Sequence, residues 1–234
     1  MTTLRDGSVV SENLKRLAGE AAVARVKDGM IVGLGTGSTV EYTIRRIAEV
    51  MRAEGWKILC VPTSLATERL AQEVGLPLIS LEEVEGVDVA IDGADEVDPK
   101  LNLIKGGGGA HFREKVVARS ARSVVIVVEA SKVVPVLGTR MAVPVEVHPF
   151  GWRQTKAALE GLWCTVTLRT TGQETVRTDN GNYILDCKFG PIPKPEKLER
   201  EINNVPGVLE NGLFVGLADV VLVAGAEGVR EMTV

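Results

Sequence analysis

The residues of this sequence that could do chemistry are gathered in three short polar stretches, the carboxylate Glu114 and two lysines. The most informative stretch is Lys105-Gly106-Gly107-Gly108-Gly109. Four consecutive glycines are entropically costly to order, so a ligand that must approach the backbone closely is a reason to have them. Their N–H groups can surround a developing oxyanion, and Lys105 adds a positive charge; a flexible loop is the competing reading. Glu114 follows in the second turn of an expected helix, where a side chain leans back over the helix start. A carboxylate there can move a proton. Periodicity alone gives a blander reading, because Phe112, Val116, Val117 and Ala121 make the apolar face and Glu114 falls on its solvated flank. His111 precedes Glu114 at helical spacing, but two ligands without a third make a poor metal site.

Asp92-Gly93-Ala94-Asp95-Glu96-x-Asp98 reads first as a solvated, N-capping loop. The functional reading turns Asp92 and Asp95 into a cleft to bind hydroxyls or shuttle protons. Gly33-Leu34-Gly35-Thr36-Gly37-Ser38-Thr39 lies between an expected strand and an expected helix, the setting of a backbone anion site. A dinucleotide fingerprint would need Gly or Ala at Ser38, and a Walker loop would need Lys where Gly37 stands. A phosphate or sugar-phosphate site and a merely structural turn both remain. Lys132, in Glu129-Ala130-Ser131-Lys132, and Lys15, on the first helix, are candidate phosphate partners. His148 reads as a surface residue.

The elements that must position these groups alternate between strand and helix. A helix is expected from about Ser11 to Asp28, then a continuous apolar strand at Met30–Leu34 and a helix stopped by Gly55. The cycle repeats with a strand at Ile58–Val61, a helix to Val74, a short strand at Leu78–Ile79 and a stronger one at Val87–Ile91. The glycine turn leads into a helix ending near Ala121, followed by the strand Val124–Val128. Strands that read as unbroken apolar runs, separated by helices, predict a parallel, doubly wound α/β sheet. Ligands then bind beyond the carboxyl ends of the strands, where the three polar stretches and Lys132 fall.

After about Leu137 the pattern becomes α+β. Val143–Val147 alternates, Trp152–Gly161 reads as a helix, and Cys164–Arg169 and Tyr183–Phe189 flank Asp179-Asn180-Gly181, whose Asn-Gly pair signals a hairpin. Another helix is expected at Pro195–Asn204, and the run from Leu213 to Gly225 is expected to rejoin the first sheet. The division predicted is residues 1–137 with 212–234 as a Rossmann-like domain, and 138–211 as a small α+β domain.

Composition narrows the function. The 234 residues are 45% hydrophobic and 25% charged, and 27 basic against 31 acidic side chains give −4 with no basic block. Nucleic acid therefore has no electrostatic footprint here. The longest apolar stretches fall far short of the roughly 20 residues that span a bilayer. Asp6 and the lack of an apolar core at the N-terminus predict no signal peptide. Cys60, Cys164 and Cys187 lack metal-ligand spacing and are expected to be free, buried thiols in a reducing cytoplasm. With 25 glycines and only 4% aromatic residues, tight turns around a small polar ligand fit better than a stacking site.

With those residues in place, the sequence closely resembles the type A ribose-5-phosphate isomerases. The matching segments are Gly33–Thr39, Pro62-Thr63-Ser64, Asp92–Glu96, Lys105–Ala110 with Arg113-Glu114-Lys115, Ser131-Lys132, Phe189-Gly190-Pro191 and Gly212–Gly216, in order along nearly the whole chain. The resemblance implies interconversion of ribose 5-phosphate and ribulose 5-phosphate with no metal or nucleotide cofactor. It also implies a Rossmann-like domain with a smaller inserted domain, and a homodimer or homotetramer. It gives Glu114 the role of proton acceptor, and gives substrate-binding roles to Thr36, Gly37, Ser38, Thr39, Asp92, Gly93, Ala94, Asp95, Lys105, Gly106, Gly107, Gly108 and Lys132. His111 and Phe112 depart from the small or aliphatic residues common there, and the first eight residues or so carry no motif. Two other readings stand beside it. A sugar-phosphate deaminase would need a catalytic histidine, for which only His111 is available, and a non-catalytic sugar-phosphate sensor gives no reason for a base beside an oxyanion turn.

Overall fold

The computed structural model describes the backbone of residues 3–234 and the side chains of residues 9–234, so the side chains of the opening segment, Asp6 included, lie outside the described residues. The chain divides into two units. One takes the described residues up to Gly93 with Val116–Lys132 and Leu217–Val234, and the other takes Ala94–Lys115 and Val133–Gly216.

Short runs of Val, Ile and Leu covered on both faces build the sheet of the first unit. Its strands are β1 (Ile31–Leu34), β2 (Leu59–Pro62), β3 (Val89–Asp92), β6 (Val124–Glu129), β14 (Val220–Gly225) and β15 (Gly228–Met232), in the order β15-β14-β6-β3-β1-β2. All neighbours are parallel except β15, which pairs antiparallel with β14. Helices α1 (Thr3–Ala21), α2 (Val40–Glu54) and α3 (Leu65–Glu73) belong to this unit, and Val32, Leu34, Ile44, Ile47, Ile91 and Val127 are among its buried core. Gly55 ends α2 at φ +71°, as its position in the sequence predicts. The first helix ends at Ala21 rather than near Asp28, with a single 3-10 turn at Ala22–Arg25. The expected strand at Leu78–Ile79 is reduced to one bridge between Leu78 and Cys60.

The second unit is antiparallel. It holds β4 (Glu96–Val97), β5 (Leu103–Ile104), β7 (Val143–Val147), β8 (Thr165–Leu168), the small ribbon β9 (Thr170–Thr171) and β10 (Glu174–Thr175), β11 (Tyr183–Lys188), β12 (Val208–Asn211) and β13 (Leu213–Phe214). One sheet runs β12-β7-β11-β8 and another β13-β5-β4. Helices α5 (Trp152–Glu160) and α6 (Pro195–Asn203) accompany them, while α4 (His111–Ser120) begins in this unit and ends in the other.

Several expectations change here. Leu213–Phe214 does not rejoin the first sheet but pairs with β5, and only Val220–Gly225 returns. Residues 94–115 join this unit because β4 pairs with β5, Val97 bridges Val133, and the buried Glu96 carboxylate accepts N–H bonds from Gly138, Arg140 and Met141 at 2.6, 2.6 and 2.8 Å. The Asn180-Gly181 turn forms, with Gly181 at φ +81°, and closes a bridge between Arg177 and Tyr183; the strands expected to flank it pair antiparallel, β8 with β11, with the β9–β10 ribbon between them in sequence. β7 does not alternate: all five residues are buried, and Glu146 accepts from Thr178, Asn180 and Asn182 at 2.9, 3.1 and 2.8 Å. Cys60 and Cys187 are buried free thiols, and Cys164 is only half-buried. Burial pushes the Cys60 thiol up to about 12, which makes it a poor nucleophile.

Candidate active site

In the first unit the chain leaves β1 outward to β2 and returns on the other side of β1 to β3, which makes the β1/β3 boundary a topological switch point. The turns beyond both strands meet there. Gly35 N–H donates to the Ile91 carbonyl at 2.9 Å, and the buried Asp92 carboxylate accepts from Thr36 N–H at 3.1 Å and Gly93 N–H at 2.7 Å. A Cβ on Gly35 would lie 2.2 Å from Asp92 Cγ, so only glycine allows this approach. Gly37 follows at φ +129°, and Gly37 and Ser38 are exposed with Thr39 half-buried, at the start of the 15-residue helix α2. Exposed N–H groups at the positive end of a helix dipole suit a phosphate.

The Thr36 hydroxyl has a different occupation. It bonds to the hydroxyls of Thr63 and Ser64 at 2.8 Å and Thr67 at 3.0 Å, and Thr67 in turn donates to the Gly35 carbonyl. This hydroxyl cluster, built from the Pro62-Thr63-Ser64 turn, fastens the loop. Lys15 lies on α1 one turn before Gly19, whose missing Cβ lets the helix lie against the Thr39 carbonyl. Lys15 faces Glu12 at 3.9 Å and is largely covered. Lys132 ends the single 3-10 turn Ala130–Lys132 beyond β6, half-buried. Gly93 is half-exposed beside Asp92.

In the second unit Lys105 and Glu114 form a buried ion pair, Nζ to Oε2 3.3 Å, with side chains 3% and 5% exposed. Lys105 is held by its N–H to the Gly212 carbonyl at 2.9 Å, and its ammonium lies 5.5 Å from the centre of the Phe214 ring. Gly106 takes φ +100°, and a Cβ there would lie 2.7 Å from His111 Nδ1. Asp95, half-buried after Ala94, accepts from Gly107 N–H at 2.8 Å, and Gly109 N–H turns back to the Gly106 carbonyl at 3.0 Å. Gly107 and Gly108 are exposed. A base, an ammonium, a second carboxylate and the exposed backbone of Gly107 and Gly108 are thus gathered at one turn. That set can remove a proton and stabilise the charge left on an adjacent oxygen.

A family model described as ribose 5-phosphate isomerase A (phosphoriboisomerase A) matches residues 59–228. The chain belongs to this family. Among curated relatives, the ribose-5-phosphate isomerase A of Chloroflexus aurantiacus is 50% identical over 225 residues, covering 95% of this chain and 94% of that protein. That of Synechococcus sp. is 47% identical over 224 residues, covering 95% and 97%. The solved structure of ribose 5-phosphate isomerase A from Methanocaldococcus jannaschii matches with TM-score 0.92 at 42% identity, over 96% of this chain and all of that one. A further D-ribose-5-phosphate isomerase structure, in complex with phospho-erythronic acid, matches with TM-score 0.92 at 40% identity, over 96% of this chain and 99% of that one.

Beside these relatives of the ribose 5-phosphate isomerase A family, the structure separates acids that the sequence leaves alike. Asp92 and Asp95 serve the two turns, whereas Glu96 anchors residues 138–141 and Asp98 accepts from Lys100 N–H, Asn102 N–H and Asn102 Nδ2. Arg169 and Asp186 carry no sequence signal, and Lys115 is marked only as part of the matching segment Arg113-Glu114-Lys115. Arg169 donates to the Gly106 and Gly107 carbonyls, Asp186 pairs with Arg169, and buried Lys115 pairs with Glu210 at 2.7 Å and Glu199 at 3.3 Å. Their partners lie far along the chain, where no local spacing points. Among the described residues no group of three or more His, Cys, Asp or Glu could hold a metal. His111 is fully buried, and burial together with the charges of Lys115 and Arg169 pulls it down to about 3, so it is neutral near pH 7.

Proposed function

We infer that this chain interconverts ribose 5-phosphate and ribulose 5-phosphate, and that Glu114 is the base. The observation that carries the residue assignment is the buried Glu114–Lys105 pair at the glycine turn. In the open-chain aldose, a Glu114 oxygen takes the proton from C2. The C–H electron pair becomes the C1=C2 bond of an enediolate, and the carbonyl electrons move onto O1. Lys105 and the turn's N–H groups stabilise that oxygen, a proton passes from the C2 hydroxyl to O1, and Glu114 returns its proton to C1. Asp92 or Asp95 assists ring opening. The phosphate does not react, and Thr36–Thr39, Lys132 and Lys15 hold it so that its binding energy positions C1 and C2.

No step here calls for a metal or nucleotide cofactor. Family membership supports a homodimer or homotetramer in the cytoplasm. Among the described residues no helix is long and apolar enough to cross a membrane. The test is purified protein with ribose 5-phosphate, following ribulose 5-phosphate with and without EDTA. Equal rates are expected, and phospho-erythronic acid, an aldonate whose carboxylate resembles the enediolate, is expected to inhibit. No turnover, or turnover lost in EDTA and restored by a divalent ion, overturns the reading.

A further inference from the structure

We propose that Arg169, locked by Asp186, is a positioning residue for the reaction, aiming and polarising the backbone donors of the glycine turn. The proposal rests on the isomerase reading above. Arg169 follows β8, and its own backbone is pinned on both sides, N–H to the Ile184 carbonyl at 2.9 Å and carbonyl to Val176 N–H at 3.0 Å. Its Nη1 donates to two successive carbonyls, Gly106 at 2.8 Å and Gly107 at 3.0 Å. Nε reaches Asp186 Oδ2 at 2.9 Å and Nη2 reaches Oδ1, a bidentate pair that fixes the plane of the guanidinium.

The consequence follows from the peptide bond. In a trans peptide the N–H points opposite to the C=O. Drawing the Gly106 and Gly107 carbonyls onto one cation therefore turns the N–H groups of Gly107 and Gly108 to the other side. The Gly107 N–H is indeed found on Asp95 at 2.8 Å, and Gly108 is exposed. A cation on the carbonyl oxygen also polarises the peptide and makes its N–H a stronger donor. Glycines have no side chains to hold such a turn in place, and Gly106 stands at φ +100°, so an external clamp is needed to keep the Gly107 N–H on Asp95 and the Gly108 N–H on the same side of the turn. An arginine with a carboxylate behind it meets that need without touching substrate.

The test measures kcat, KM and exchange of the C2 proton in wild type, Arg169→Ala, Arg169→Lys and Asp186→Asn. Arg169→Ala is expected to lower kcat by about 10- to 100-fold, somewhat less than the 10²–10³-fold for deleting an oxyanion donor outright. KM should stay within about threefold, C2 exchange should slow in parallel, and millimolar guanidinium ion should restore part of kcat. Asp186→Asn should show a smaller loss of the same kind. Arg169→Lys, which supplies charge without the fork, should fall between. If the alanine variant does not fold, Arg169→Lys and Asp186→Asn decide on the same measurements. Variants that keep kcat within threefold of wild type, or that lose thermal stability while kcat holds, overturn the proposal. A wild type without turnover instead overturns the isomerase reading, so the two failures are distinct.

Discussion

Glu114 and Lys105 show how one residue's setting can reverse its apparent character. On its helix Glu114 sits off the apolar stripe, yet it is 5% exposed because Lys105, 3.3 Å away, comes from outside the helix. Replacing it by Gln keeps the shape and removes the basic oxygen. For Glu114→Gln, kcat is expected to fall by about 10²–10⁴-fold with little change in KM. The loss of stability should stay below the roughly 3–5 kcal/mol of an unpaired buried charge, since the amide oxygen still accepts from Lys105. A variant retaining more than about a third of wild-type kcat would move the base to Asp92 or Asp95. His111 gives a second prediction. Its folded value, about 3, lies below the unfolded 6.5. Above pH 6.5 the ring is neutral in both states and contributes no pH dependence. Below it the unfolded chain binds a proton that the folded one refuses, so stability falls towards pH 3, at up to about 1.4 kcal/mol per pH unit. Denaturant titrations between pH 7 and 4 should show a shallower slope for His111→Leu, and equal slopes would remove His111 from the account. Neither setting was legible locally. The turn Lys105–Gly109 announced that something approaches the backbone, but Glu114 is covered by a lysine from outside its helix and His111 lies near Arg169 and the backbone of Glu210, far along the chain.

Elements that position the turns were legible where one segment's own pattern decides them, and not where a partner does. The unbroken apolar run Val124–Val128 identified β6 correctly, and Gly55 marked the end of α2. The alternation of Val143–Val147 misled, because Glu146 is covered by hydrogen-bond donors from a distant hairpin rather than by solvent. Gly19 was also silent. It lies inside α1, where alanine would ordinarily be about 1 kcal/mol better. An added Cβ, however, would meet the Thr39 carbonyl oxygen at 2.5 Å and Tyr42 Cβ at 2.9 Å. A backbone oxygen cannot swing away, so Gly19→Ala is expected to cost about 1–3 kcal/mol net. Because Thr39 belongs to the turn proposed to hold the phosphate, KM for ribose 5-phosphate should rise while kcat changes less. A urea midpoint equal to or above wild type would show that α1 shifts freely.

At the scale of the whole molecule, the α/β class and the parallel sheet followed from strand–helix alternation, while the assignment of residues 94–115 followed from pairings such as Val97 with Val133 and β5 with β13. One feature of the strand order bears on the chain before it is complete. β6 is flanked by β3 and β14, and β14 (Val220–Gly225) with β15 is made long after both β3 and β6. While the protein is being made, Val124–Glu129 therefore pairs with β3 on one side only and leaves its other edge bare, five consecutive apolar residues with the β14 side not yet synthesised. A chain deleted for residues 217–234 should keep that edge permanently and partition into the insoluble fraction of cells, where the full-length chain remains in the supernatant. A soluble, monodisperse truncation would refute this. The same order means that this edge waits for β14, some ninety residues later in synthesis, so production of this protein should depend on chaperone capacity and temperature more steeply than the stability of the finished fold alone would suggest.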